Sequence, residues 1–364
     1  MRFIYATIAL AFLFSCNSNN GQNQTKDTAT EQTNGSDQKS IAGEAQGTTY
    51  HISYYGKAAE NSLKSDVDSL LKQIDFSLSG WNEGSVITAM NTKDTNEVVV
   101  HDTFNYVTDN FKMARKVYVK TDGAFDPTIG PLVNLWGFGL EKRGNVTDES
   151  VNALLPLVAF DFQSVRLTRF DSTEKAGPVR MFYRKNADMQ LDFNGIAQGY
   201  SVEKLASLFN DQNIDSYMIE LGGEIKTKGK KNDGTYWKIG VDKPVSPDEE
   251  RQLQAVLTLK NQSVATSGSY RKFYEQDGER FSHTIDPKTG KPVTHNLLST
   301  TVVMEDCTLA DAYATAFMVM GTEKTKEFLQ SNTDVKMDVY LIYDEGGEFK
   351  TWMSEGMKKM TEEI

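Results

Sequence analysis

The sequence predicts an α+β fold of mixed, largely antiparallel sheets with flanking helices. Three observations lead there. Short runs of alternating apolar and polar residues recur between 155 and 260, each the length of a half-buried strand. Helical periodicities interrupt them singly, and the two patterns mix without the strand-helix-strand rhythm that builds a parallel sheet. No internal repeat divides the 364 residues.

Residues 1–15, MRFIYATIALAFLFS, carry one basic residue and an apolar run too short to span a bilayer, the pattern of a secretory signal. Cys16 follows at once. Leu13-Phe14-Ser15-Cys16 resembles a bacterial lipobox, with Phe14 bulkier than the residue usual at its place. The expectation is lipidation at Cys16 and anchoring to the bacterial cell membrane, facing the periplasm; a secreted protein cleaved nearby is the alternative. Residues 16–40 contain almost nothing apolar and cannot offset the entropy of ordering, so they are expected as a disordered tether. The globular domain is expected over 41–364.

Within it, 48–55 reads as a strand and 61–76 as an amphipathic helix with Leu63, Val67, Leu70, Leu71 and Ile74 on one face. A second helix over 103–119 closes at Thr121-Asp122-Gly123. Strands are expected at 180–184, 189–193, 217–220, 224–228, 236–241 and 254–260, with a helix from Tyr200 to about Phe209 between them. After Gly268 come a tyrosine-rich hairpin, a turn at 283–292, a strand at 298–304, helices at 308–320 and near 323–331, and a closing hairpin at 337–353.

Charge narrows the partners. A net charge of −11 argues against nucleic acid or an anionic membrane surface, and a polyanionic ligand would need a cation to help it bind. Of the two cysteines, Cys16 is the lipid site and Cys307 reads as a small buried apolar residue, so no intramolecular disulfide is expected.

The run Asp311-Ala-Tyr-Ala-Thr315 puts a carboxylate and a hydroxyl four residues apart on one face of a helix. Two readings compete. Hard oxygen ligands in that pattern start a Mg²⁺ site that substrate phosphates and water complete. Alternatively, Thr308 caps the helix and Asp311 serves its free N–H groups and dipole.

Five segments are too rich in glycine and polar residues for ordinary core: 45–50, 79–85, 121–137, 191–200 and 266–315. Their motifs are Gly47-Thr-Thr-Tyr50, Asp122-Gly-Ala-Phe-Asp126 with Gly130-Pro-Leu-Val-Asn-Leu-Trp-Gly-Phe-Gly139, Asp192 through Gly199-Tyr200, Leu221-Gly-Gly-Glu224, Thr266-Ser-Gly-Ser-Tyr270, His283 through Pro292, and Ala310 through Thr315. In this order they resemble the ApbE family of FAD:protein FMN transferases, over roughly residues 41–340.

The resemblance implies a single catalytic domain of two intertwined lobes, with FAD as substrate and Mg²⁺ as cofactor. FAD is split at its pyrophosphate, AMP leaves, and FMN passes to a threonine or serine hydroxyl of an acceptor. The acceptors implied are exported subunits of flavin-dependent redox complexes. The metal ligands implied are Asp311, Thr315 and a main-chain group of Gly195.

Asp192 resembles the position that hydrogen-bonds the flavin; a strand-end carboxylate capping the following helix is the other reading. Ala124, Phe125 and Asp126 match the loop that contacts FAD, mostly through backbone. Trp81 stands where the family has tyrosine and would stack on a ring of the cofactor, or is a half-buried anchor beside a turn. Two departures stand out: Gln46 replaces a common methionine and Gln198 a frequent lysine, which moves phosphate neutralisation towards the metal. His283 is the candidate base for the acceptor hydroxyl, since an imidazole titrates near neutrality. In the competing reading His283 binds the diphosphate, while Asp286 or the metal lowers the hydroxyl pKa. Hydrolysis of FAD by water, and a flavin-binding lipoprotein without catalysis, are the alternative functions.

Overall fold

Strand-length runs separated by glycine turns form β1 (Lys39–Ala45), β2 (Thr48–Tyr55), β3 (Glu97–His101), β4 (Val165–Arg169), β5 (Val179–Arg184), β6 (Ser216–Leu221), β7 (Glu224–Lys228), β8 (Trp237–Asp242), β9 (Leu253–Leu259), β10 (Ser263–Gly268), β11 (Phe273–Gln276), β12 (Glu279–Ser282), β13 (Leu297–Met304), β14 (Asp338–Glu345), β15 (Glu348–Met353) and β16 (Thr361–Glu363). The helices are α1 (Glu60–Leu78), α2 (Val86–Met90), α3 (Tyr106–Lys120), α4 (Gly130–Leu135), α5 (Asp148–Leu154), α6 (Ala197–Asp211), α7 (Cys307–Ser331) and α8 (Glu355–Met360). This computed structural model describes residues 37–364 except 92–94, 140–143, 171–177, 245–249, 251, 270–272 and 277–278. The expectations for 1–36, including Cys16, and for Tyr270 lie outside the described residues.

An eight-stranded sheet runs β1-β2-β6-β7-β10-β13-β14-β15, and every described strand pairing is antiparallel, as the sequence predicts. Helices α1, α6 and α7 cover one face. The opposite face of its central strands packs on the small sheet β16-β9-β8 through Val264, Val303, Tyr340 and Ile342. Strands buried on both faces read as continuous apolar runs rather than alternations, which is why Thr301-Val-Val-Met304 and Val339-Tyr-Leu-Ile342 carry no polar stripe.

A third sheet, β3-β5-β4, packs its inner side chains Val100, Val165 and Phe182 against the cluster that holds α3 and α7. Strand β1, which begins at Lys39, is not among the expected elements. Helices α1 and α3 lie where periodicity puts them, and α3 closes at Thr121 with Asp122 (φ 50°) and Gly123 (φ 77°) left-handed.

One strand expectation is corrected. Residues 189–193 belong to no strand. Instead Asn91 pairs its side-chain amide with Leu191, accepting from its N–H at 2.8 Å and donating to its carbonyl at 2.9 Å, while Asp192 N–H donates to Pro127 O at 2.7 Å. Side-chain and loop partners thus replace a ladder, and the backbone is extended without being in a sheet. Helix α6 also starts earlier than expected, at Ala197, and α7 joins both expected helices across a break at Gly321 (φ 77°, ψ 178°).

Candidate active site

Helices α6 and α7 cross so closely that only glycine fits between them. A Cβ placed on Gly199 would overlap the Cys307 carbonyl oxygen and lie 2.7 Å from Asp311 Cβ. Through this gap the Gly199 N–H donates to Asp311 Oδ2 at 3.0 Å. Helix α6 has no side-chain cap of its own, so the carboxylate from α7 serves one of its free N–H groups.

The cap reading of Asp311 on its own helix is thereby replaced. The N-cap of α7 is Asp306, accepting from Leu309 N–H at 3.0 Å, and Asp311 lies a turn inside. Asp311 is only 6% exposed, and burial pushes its carboxyl up to about 7 against the lowering effect of the Gly199 N–H.

Thr315 follows one turn on. A Cβ on Gly195 would sit 3.1 Å from Thr315 Oγ1 and 3.2 Å from the Phe125 ring, so these three residues meet. Among the described residues, Asp311 Oδ1 and Thr315 Oγ1 accept and donate no hydrogen bond. A carboxylate oxygen, a hydroxyl and a nearby main chain form a hard donor set with few protein ligands, which fits Mg²⁺ and leaves most of an octahedron to phosphate and water. Clusters of three or more His, Cys, Asp or Glu side chains suited to a metal are absent among the described residues; this donor set contains a single carboxylate.

The other predicted residues relate to this centre unequally. Ala124 and Phe125 are buried in the loop that reaches Gly195. The Asp126 carboxylate braces that loop: Oδ1 accepts from Thr128 N–H at 2.7 Å and its Oγ1 at 2.5 Å, and Oδ2 from Phe160 N–H at 3.3 Å. The Asp126 carbonyl is engaged as well, accepting from Ile129 N–H at 3.2 Å. Half-buried Asp192 closes its own turn, accepting from Asn194 N–H at 2.7 Å, and burial raises its pKa. It does not cap α6.

Gln46, in the β1–β2 turn, donates from Nε2 to Ser201 Oγ at 2.7 Å and leaves Oε1 buried without a partner. Gln198 packs by the β6–β7 turn, its Nε2 2.8 Å from where a Cβ of Gly222 would lie. Both amides therefore border the start of α6. Trp81 is 59% exposed on the loop after α1, with only its backbone N–H bonded, to Ser79 Oγ at 3.2 Å.

His283 and Asp286 form a second group on the 283–292 turn, which is closed by an Ile285–Pro292 bridge. The His283 ring packs edge-on to Phe138 at 6.3 Å, and Asp286 Oδ1 accepts from Lys288 N–H at 2.8 Å. The segment 121–139 joins the two groups. Phe125 at its start meets Gly195, while Trp136 near its end donates from Nε1 to Gly290 O at 2.8 Å. Cys307 is fully buried and burial pushes its thiol up, as befits a core residue.

Two residues that shape the site escaped the sequence reading. Asn91, which holds Leu191, carries no local signal. Glu203 does, in its position four residues after Gly199 on the face of α6 that meets α7.

This fold is that of the flavin transferases with which the chain aligns. The Vibrio cholerae flavin transferase ApbE superposes with a TM-score of 0.75 at 32% identity, covering 89% of this chain and 99% of that one. The apo flavinyl transferase ApbE of Pseudomonas stutzeri gives 0.76 at 29% identity, covering 90% and 98%. In sequence, the FAD:protein FMN transferase of Haemophilus influenzae is 35% identical over 331 residues, 89% of this chain and 91% of its own length. That of Escherichia coli is 34% identical over 322 residues, 87% and 88%. The ApbE family model matches residues 46–341. The chain belongs to the ApbE family.

Proposed function

We propose that the protein transfers FMN from FAD to a threonine or serine hydroxyl of an exported acceptor protein, with Mg²⁺, releasing AMP. One observation carries the reading: at the start of α6, Thr315 Oγ1 lies unengaged beside Gly195, and Asp311, bonded through Oδ2 to Gly199 N–H, keeps its Oδ1 unengaged. The start of a helix favours a diphosphate. Asp311, Thr315 and the Gly195 main chain would hold Mg²⁺, which when bound neutralises charge on the diphosphate.

The acceptor oxygen attacks the phosphorus of the FMN half of FAD, and the bond from that phosphorus to the AMP phosphate breaks. His283 takes the hydroxyl proton on a ring nitrogen, and AMP leaves with the bridging oxygen. Phe125 and the backbone of Ala124 and Asp126 wall the flavin side, with Asp192, Gln46 and Gln198 at the polar edge and Trp81 free to stack. Lipidation of Cys16 would hold the enzyme at the membrane on the periplasmic side, where exported acceptor subunits are.

The test is incubation of the full chain with FAD, Mg²⁺ and a candidate acceptor. The expected result is a covalent fluorescent band under denaturing conditions and one AMP per label. FMN and AMP released without labelled protein would mean hydrolysis, and FAD bound without turnover a carrier. Cys16→Ser should leave the membrane fraction or accumulate as precursor.

A further inference from the structure

The helix pair that carries the site is set by three contacts, each one turn from the next. Gly195 meets Thr315, Gly199 bonds Asp311, and Glu203 bonds Cys307. Each step of four forward along the α6 side is a step of four backward on α7, so the helices run antiparallel and the three rungs share one register. The first two belong to the candidate active site. The third stands just over two turns, roughly 12 Å, along α7 from Thr315.

Glu203 Oε1 accepts from the Cys307 N–H at 2.6 Å, a group at the start of α7 that has no partner within its helix. The same oxygen lies 2.6 Å from Lys226 Nζ on β7, and Lys226 donates on to Glu305 O at 2.8 Å. Ser263 Oγ on β10 donates to that carbonyl too, at 2.9 Å. The side chains of Lys226 and Glu203 are 16% and 24% exposed, so the charges attract with little screening. An ionised acceptor on a helix N-terminus is favoured by both charge and dipole.

Asp306 already caps α7, so fraying of that end is guarded without Glu203. What Glu203 adds is a tie between helices, at the spot where the Cys307 carbonyl leaves no room beside Gly199. We propose that Glu203, held by Lys226, is a positioning residue that fixes the register of α6 against α7 and so the spacing of the Gly195 main chain from Asp311 and Thr315. The inference rests on reading those three as the cation site.

Direct binding of Mn²⁺, a paramagnetic stand-in for Mg²⁺, tests it in the full chain with saturating FAD, read from loss of the free-ion resonance. Glu203→Ala should weaken Mn²⁺ binding by about tenfold, as expected for losing one charge-assisted hydrogen bond. Glu203→Gln keeps an oxygen for the Cys307 N–H and should recover to within about threefold. Ser354→Ala, which uncaps the remote α8, should lower the melting temperature without moving Mn²⁺ affinity. Wild-type Mn²⁺ affinity in Glu203→Ala, with binding lost in Asp311→Ala, overturns the positioning role alone. Wild-type affinity in Asp311→Ala overturns the cation site and this inference with it. Should Glu203→Ala fail to fold, Lys226→Met replaces it, and unchanged affinity there overturns the proposal.

Discussion

The carboxylate of Asp311 caps a helix other than its own: its Oδ2 accepts the Gly199 N–H of α6 at 3.0 Å, while its home helix α7 is capped by Asp306. One oxygen thus joins the two helices, and the other accepts no hydrogen bond among the described residues.

That geometry makes the two glycines beside it behave differently. Gly199→Ala pushes against backbone, the Cys307 carbonyl, and should cost about 1–3 kcal/mol of stability as well as activity. Gly195→Ala meets only the Thr315 side chain at 3.1 Å and the Phe125 ring at 3.2 Å, so it should lose activity while costing less than about 1 kcal/mol. Urea unfolding beside transfer rates separates the pair. Equal stability losses would contradict the close approach seen at Gly199.

Asp126 supplies a pH signature. Burial outweighs its three hydrogen bonds and raises its carboxyl to about 6, above the ordinary 3.8. An acid raised in the folded state contributes stability that is full below its unfolded pKa and is lost as pH climbs through the folded value. Relative to Asp126→Asn, the wild type should therefore lose about 2–3 kcal/mol between pH 4 and 7. Parallel stability profiles for the two proteins would show that the carboxyl is not raised.

His283 and Asp286 share a turn and should separate by substitution. His283→Ala should slow transfer by about 10²–10⁴ with FAD affinity kept, if the imidazole takes the hydroxyl proton. Asp286→Asn keeps an oxygen for Lys288 N–H and should stay within about tenfold of wild type, short of a base's contribution. A larger loss in Asp286→Asn than in His283→Ala would reverse their roles.

Trp81 is 59% exposed and supports little of the fold. Trp81→Ala should leave the melting temperature unchanged and weaken FAD binding by about three- to tenfold, the scale of one aromatic stack. Unchanged FAD affinity would make it a surface residue only.

Much of this was legible in the sequence because local pattern and tertiary demand agree. The alternation of 48–55 gives β2, and the apolar face of 61–76 gives α1, with Leu63, Val67, Leu71 and Ile74 all buried. Of the five polar, glycine-rich segments, 191–200 owes its composition to packing, since glycine is what lets Gly195 and Gly199 approach α7. What stayed hidden depends on partners far apart in the chain. The extended 189–193 segment looks like a strand until Asn91, a hundred residues earlier, is seen holding it. Likewise, no local pattern says that Asp311 caps α6, or that Glu203 and Lys226 meet at the first residue of α7.

The central claim is that Asp311 and Thr315 hold the cation that FMN transfer needs. The most direct measurement is the Mg²⁺ concentration for half-maximal transfer in wild type, Asp311→Ala and Thr315→Val, with melting temperatures taken on the same samples. We expect Asp311→Ala to be inactive at ordinary Mg²⁺. Thr315→Val, nearly equal in volume, should need about tenfold more Mg²⁺, the scale of one lost ligand hydroxyl. A purely structural Asp311 predicts otherwise: loss of a cap lowers stability by about 0.5–2 kcal/mol and leaves metal dependence alone. An Asp311→Ala protein that melts lower yet keeps the wild-type rate and Mg²⁺ requirement would contradict the site.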